Sequence, residues 1–342
     1  MAVSRRTFAR LAAAGLSSAL FPLSGCAQKL GQQRGTTHLP TPDQPLTPPE
    51  DWYFQSVQGA YEADLDRYRL KVTGLVDDEL SLSVAALRND FARLEEPITL
   101  ACVGNAPNGR LLSSSIFRGT PMLALMDAAG VASQATGAVI TGLDGFVAFQ
   151  SLQDLRRPES IVAYDMGIAP NRLRALPIDQ GFPVRLLTPG LYGYMQPKWI
   201  DSITFVDQGG HHEVLRRSLD YLEGKMQLAS GFSRPHRGSV VAGSIDILGY
   251  AFGDGRAIAE VEVDIDGGGW QQAEMVWGGS VDDAMPTFLW CLWRMPWHAT
   301  SGVHVLSVRA RYLDGEAQTD GREFPYSGGS IVHMRLLVEE AS

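Results

Sequence analysis

Cysteine is scarce in this chain, three residues in 342, which is too few for a disulfide scaffold or a closed structural zinc site. Bases are outnumbered, 29 lysines and arginines against 38 acids for a formal charge of −9. Nothing then offsets the repulsion of phosphates, and no nucleic-acid partner is expected. Long apolar runs are also missing. The stretch over 11–23 is broken by Gly, Ser and Pro and falls short of the roughly 20 residues that span a bilayer. Neither a Gly-x-Ser-x-Gly elbow nor a Cys-x-x-Cys-His haem site occurs, so a hydrolase is disfavoured and no covalently attached haem is expected. What is present is a chain 45% hydrophobic and 20% charged, able to bury a sizeable core and long enough, at about 150 residues each, for two domains.

The N-terminus reads as an address. The first 25 residues carry Arg5, Arg6 and Arg10 with no acid, and losing those three would deepen the charge from −9 to −12. Ser4-Arg5-Arg6-Thr7-Phe8 resembles a twin-arginine (Tat) export signal, which a receptor reads. Leu23-Ser24-Gly25-Cys26 resembles a bacterial lipobox, whose Cys26 becomes the lipidated first residue of the mature chain. An ordinary secretory peptide with an incidental cysteine is the alternative. The expectation is a periplasmic, membrane-anchored lipoprotein, exported folded and already loaded with a cofactor. Residues 27–50 are polar, proline-rich and without apolar period, as an extended tether is.

From 51 to about 208 strand and helix patterns mix. Tyr68, Leu70 and Val72 alternate with Arg67, Arg69 and Lys71, the period of a half-buried strand ending at Gly74. Apolar spacing predicts helices over 81–88 and 121–129, the second opening on a proline. Further strands are predicted over 98–103, 138–141, 160–164, 183–187 and 199–206. This is an α+β layer pattern. The polar segment 209–238, with a helix predicted over 213–223, reads as an interdomain connection. Strands alone follow, over 239–251, 257–265, 270–276, 287–294, 302–312 and 330–338. Their regular spacing predicts an immunoglobulin-like sandwich over 239–342. Asp264-Ile265-Asp266-Gly267-Gly268-Gly269-Trp270 lacks the ligands of a calcium loop and predicts a glycine hairpin. Trp290, Trp293 and Trp297 are expected in the sandwich core or in an interface cluster.

Pro97-Ile98-Thr99-Leu100-Ala101-Cys102-Val103-Gly104-Asn105 is an apolar strand that delivers a cysteine at its end, just before an Asn-Ala-Pro-Asn-Gly turn. A thiolate there sits at a sheet edge with backbone N–H groups free to face a bound group. On these residues alone an inert buried thiol, a Cys102–Cys291 disulfide and a simple nucleophile all remain open. His211 and His212 have no third ligand at useful spacing and are expected at a helix start on the surface.

The ordered set of motifs goes further. Thr99-Leu100-Ala101-Cys102-Val103-Gly104-Asn105, Gly109-Arg110-Leu111-Leu112-Ser113-Ser114 and Gly119-Thr120-Pro121-Met122 are followed by Asp144-Gly145-Phe146 and Ile161-Val162-Ala163-Tyr164-Asp165-Met166. Then come Gly181-Phe182-Pro183-Val184-Arg185-Leu186-Leu187, Pro189-Gly190-Leu191-Tyr192-Gly193 and Lys198-Trp199-Ile200, with Gly249-Tyr250-Ala251-Phe252 and Val261-Glu262-Val263-Asp264 later. Together they resemble the sulfite-oxidase-type molybdopterin oxidoreductase family, from about Asp51 to the C-terminus. The resemblance implies a molybdopterin-binding domain over 51–208, an all-β sandwich often used for dimerisation, and hence a homodimer.

It also implies molybdenum held by a molybdopterin (pyranopterin dithiolene), with Cys102 completing the sulfur set as metal ligand. Arg185 and Lys198 match the family's cationic phosphate and pterin contacts. Tyr53, Gln55, Gly104, Asn105, Asp144, Gln180 and Tyr192 are implied around the cofactor, and Gly190 and Gly193 would let the backbone approach it. Arg110, Arg118 and Tyr221 are candidates for a catalytic lining. The implied reaction is oxo transfer to or from a small sulfur compound or oxyanion such as sulfite, with a periplasmic or membrane cytochrome as electron partner. Three positions depart from the family. Ala106 stands where sulfite-oxidising members commonly have arginine, Gln180 where histidine is frequent, and Tyr53-Phe54-Gln55-Ser56-Val57 where an aromatic-aromatic-x-Arg-Asn-His segment is typical. These changes keep open a rival, a cofactor-free binding lipoprotein on a decayed enzyme fold.

Overall fold

The computed structural model describes residues 33–56, 59–207, 224–236, 238–278 and 288–340. The export-signal and lipobox readings, the 213–223 helix, His211, His212 and Tyr221 therefore lie outside the described residues. The molecule is mostly β.

In the N-terminal unit the strands are β1 (Gln33–Arg34), β2 (Phe54–Gln55), β3 (Leu70–Gly74), β4 (Leu80–Leu82), β5 (Leu94–Ala101), β6 (Leu112–Pro121), β7 (Gly137–Gly142), β8 (Val147–Ser151), β9 (Ile161–Gly167), β10 (Arg174–Ala175), β11 (Arg185–Leu187) and β12 (Ile200–Val206). Helices α1 (Val84–Asn89), α2 (Met122–Ala129) and α3 (Leu152–Leu155) are short. Both longer helices fall where apolar spacing predicts them. Ser83 caps α1 by accepting the Ala86 N–H at 3.1 Å, and Gly130 ends α2 in the left-handed conformation, φ +61°.

Two five-stranded sheets result. One runs β10-β9-β6-β5 with β11 also on β9, and the other runs β4-β3-β12-β7-β8. In β5, Ile98, Thr99, Leu100 and Ala101 are all buried, so both faces of the strand are covered, as its unbroken apolar run requires.

The C-terminal unit has two sheets around one core that includes Phe232, Trp293, Val308 and Leu336. Its strands are β13 (Ala229–Arg234), β14 (Ser239–Val241), β15 (Gly243–Phe252), β16 (Ile258–Ile265), β17 (Gln271–Gln272), β18 (Glu274–Trp277), β19 (Cys291–Ala299), β20 (Gly302–Tyr312) and β21 (Val332–Glu339). The sheet orders are β13-β15-β19-β18 and β14-β21-β20-β16-β17. β16 and β17 close the glycine hairpin, with Gly267 and Gly269 at positive φ. β13 corrects the reading of 209–238 as connection alone, because it pairs with β15 along Ala229–Arg234.

A second correction concerns the tether. From residue 33 the chain is packed, not free. Thr36, Thr41 and Thr47 are buried, and Thr47 donates its N–H to the Ser114 carbonyl at 2.6 Å while its hydroxyl accepts the Ser114 N–H at 3.1 Å. The two units meet at the outer edge of β5, where Thr99 donates to the Phe288 carbonyl at 3.0 Å and accepts from the Trp290 N–H at 2.7 Å. The exposed strand edge is thereby covered. Trp290 is fully buried at this seam and Trp293 in the C-terminal core.

Candidate cofactor site

β5 ends at Ala101 and Cys102 opens the loop that returns to β6. The Cys102 N–H donates to Leu111 O at 2.9 Å and the Asn105 N–H to Cys102 O at 3.0 Å. The Asn105 side chain closes the loop from inside, its Oδ1 accepting the Leu111 N–H at 2.8 Å. The loop is therefore a built platform for one sulfur. Cys102 is half-buried and not bridged to Cys291, and a Cβ placed on Gly104 would lie 3.9 Å from its Sγ and 3.6 Å from a Phe324 ring carbon. Cys291 is enclosed in the C-terminal core, where burial pushes its thiol up to about 12. Neither the disulfide nor the sealed thiol describes Cys102.

Gln180, Arg185 and Lys198 converge on the segment 53–55, whose Gln55 side chain touches the sulfur. Gly181, at φ +105°, permits it, since a Cβ there would sit 3.1 Å from both the Arg185 and Lys198 Cβ atoms. Lys198 Nζ donates to Gln55 O at 3.1 Å and Asp179 O at 2.9 Å and lies over the rings of Phe54 and Trp199. Arg185, 3% exposed, donates from Nη1 to Gln180 O at 3.2 Å, while its Nε is buried without a partner. Burial holds the Lys198 amine well below the usual lysine value, the Arg185 charge adding to the effect and Asp179 and Asp144 opposing it. Burial likewise lowers Arg185 to about 10.

Among the described residues neither cation pairs with a carboxylate; both bond backbone carbonyls. A buried and a half-buried like charge and an orphaned guanidinium N–H are costly as they stand and fit an anionic group nearby. The donor set thus suits a phosphate-bearing cofactor, with a soft sulfur beside it for a metal.

The other sequence-derived residues divide. Tyr53 is buried, and burial first, then Cys102, raises its hydroxyl, with Arg185 opposing. Gln180 donates to Tyr53 O at 3.2 Å. Asp144 is half-buried, accepts the Phe146 N–H at 3.1 Å and has its carboxyl raised by burial, with Phe146 and Lys198 pulling it back. Gly193 is needed where a Cβ would lie 2.9 Å from the Tyr53 hydroxyl. Gly190 lies at the unit seam, where its missing Cβ leaves room for the Asp254 carbonyl and Phe288. Tyr192 also lies on that seam, tilted against Tyr326 with its hydroxyl accepting the Gln227 N–H at 3.1 Å.

Arg118 is not at the site. β6 begins opposite Ala101, and Arg118 sits six residues further along, opposite Glu95, about 20 Å away at strand spacing. There it grips Glu95 at 2.6 Å and stands 3.6 Å from Asp165. Arg110 adjoins the cysteine loop but commits Nη1 to Thr36 O at 3.2 Å. Sequence reasoning missed Asp179, whose carbonyl receives Lys198 and whose carboxylate pairs with Arg34 at 2.7 Å. It also missed Phe324 beside Gly104. Neither carries a motif.

Residues 57–213 match the family model for an oxidoreductase molybdopterin binding domain. Mitochondrial sulfite oxidase of Rattus norvegicus is 27% identical over 341 residues, covering 86% of this chain and 61% of that protein. Inducible nitrate reductase [NADH] 2 of Glycine max is 25% identical over 325 residues, covering 78% and 36% respectively. The chain thus spans about three-fifths of the sulfite oxidase and about a third of the nitrate reductase. The crystal structure of the sulfane dehydrogenase SoxCD from Paracoccus pantotrophus shares the fold, at TM-score 0.74 and 19% identity over 94% of this chain and 93% of that one.

Proposed function

Since the chain belongs to the sulfite-oxidase-type family of molybdopterin oxidoreductases, we propose that it is a molybdopterin-dependent oxidoreductase acting on a small sulfur compound or oxyanion. The observation that carries this reading is the pair of cations, Arg185 buried and Lys198 half-buried, which among the described residues bond backbone carbonyls and no carboxylate, Lys198 on the same Gln55 whose side chain touches Cys102. Bound there, the molybdenum cofactor supplies two-electron oxo transfer. Cys102 would ligate the metal through Sγ, Arg185 and Lys198 would hold the cofactor's phosphate, and Gln180 and Tyr53 would fix the floor between them. The chain's share of catalysis is orientation and a fixed electrostatic field around an anionic reactant. For an oxidised substrate such as sulfite the balance is one water consumed and two protons and two electrons released, the electrons passing to a separate cytochrome.

Around that core the reading includes Tat export, a lipid anchor at Cys26, a periplasmic position and an immunoglobulin-like C-terminal sandwich used for homodimerisation. Metal analysis of the full chain, purified from cells that make the cofactor, tests the reading. About one molybdenum per chain is expected, falling at least tenfold in Arg185→Ala. A metal-free wild type overturns it in favour of a binding lipoprotein.

A further inference from the structure

The N-terminal segment reaches the sulfur of Cys102 through one side chain. Gln55 Oε1 accepts a hydrogen bond from Cys102 Sγ at 2.7 Å. Its backbone is fixed on two sides. Gln55 pairs with Gln33 across β1 and β2, and its carbonyl receives Lys198 Nζ at 3.1 Å. The neighbouring rung is pinned as well, because Arg34, opposite Phe54, forms an ion pair with Asp179 at 2.7 Å, and the Asp179 carbonyl receives the same lysine at 2.9 Å. The carboxamide therefore stands beside the sulfur on a rigid base.

We propose that Gln55 is a positioning residue for the metal-ligating sulfur, setting the metal's reduction potential through a hydrogen bond to Sγ. The inference rests on the proposed function and deepens it. A thiol loses its proton on binding a metal, and the sulfur then accepts hydrogen bonds where it had donated one. A half-turn of the terminal carboxamide exchanges Oε1 for Nε2 and presents an N–H from the same place. Such a donor draws electron density from the sulfur, favours the reduced metal and raises the potential.

The test uses the loaded full chain, with metal content, the sulfur-to-metal charge-transfer absorption and the midpoint potential measured on wild type, Gln55→Leu and Gln55→Glu. Gln55→Glu keeps size and reach but brings no N–H, and it stands in if the leucine variant loads poorly. The expected result is a more negative potential and absorption at longer wavelength in both variants, the glutamate shifting further. A purely structural role predicts unchanged potential and absorption in metal-matched samples, and that result overturns the inference alone. A wild type without molybdenum overturns the proposed function, and this inference with it.

Discussion

Arg185 and Lys198 repel one another in the protein and, on the proposed function, would attract the same anion, so changing either should have opposite effects on the empty and the loaded chain. Lys198→Met removes a half-buried charge that has no carboxylate partner among the described residues. The cofactor-free chain should then melt at a higher temperature, while molybdenum retention falls about tenfold, equivalent to about 1.4 kcal/mol of binding. Calorimetry and metal analysis on the same preparations check both signs.

Glu96 gives a separate test by pH. Burial, with Glu159 adding, raises its carboxyl from 4.5 to about 7. Between those values the folded state binds more protons than the unfolded one, so stability falls as pH rises from 4.5 to 7 and stays lower above. Gln at this position mimics the neutral acid. Denaturation of Glu96→Gln should match wild type near pH 4 and exceed it at pH 8, and a constant difference at both would refute the assignment. At this scale residue type singled out Cys102, Arg185 and Lys198, which the fold links through the segment 53–55. It was misleading for Arg118, whose charge looks the same in a motif whether it faces a ligand or Glu95.

Among elements, the packed segment 33–56 is the one that periodicity could not reveal. It has few apolar residues, and it is held by hydrogen bonds, Thr47 to β6 and Thr36 to Arg110 and Asp51, and not by an amphipathic stripe. Thr47→Val should destabilise the chain by about 1–3 kcal/mol, because the Ser114 N–H is left unpaired in the interior, and should speed proteolysis within 33–56. Unchanged chemical denaturation would mean the segment is not part of the cooperative fold. β3, β5, β7, β9, β12 and the long strands of the C-terminal unit were legible from alternation or apolar runs. β6 was not, since Ser113, Ser114 and Ser115, all fully buried, give neither alternation nor an apolar run. β13, Ala-Ser-Gly-Phe-Ser-Arg, hid in the same way among small residues.

For the molecule as a whole, the C-terminal unit borders the site. Trp290 seals the edge of β5, Tyr326 lies against Tyr192, and Phe324 stands beside Gly104. These contacts join residues more than a hundred positions apart, which no local pattern encodes. Trp290→Ala should cost about 3–5 kcal/mol and, by loosening the seam next to Thr99, should also reduce molybdenum retention. Normal metal content in that variant would mean the N-terminal unit holds its cofactor unaided. The central claim is the bond from the Cys102 sulfur to molybdenum, and X-ray absorption at the molybdenum edge reads it directly. The loaded Cys102→Ser chain should show one metal–sulfur bond fewer than wild type, whereas equal sulfur coordination in the two proteins would contradict the account.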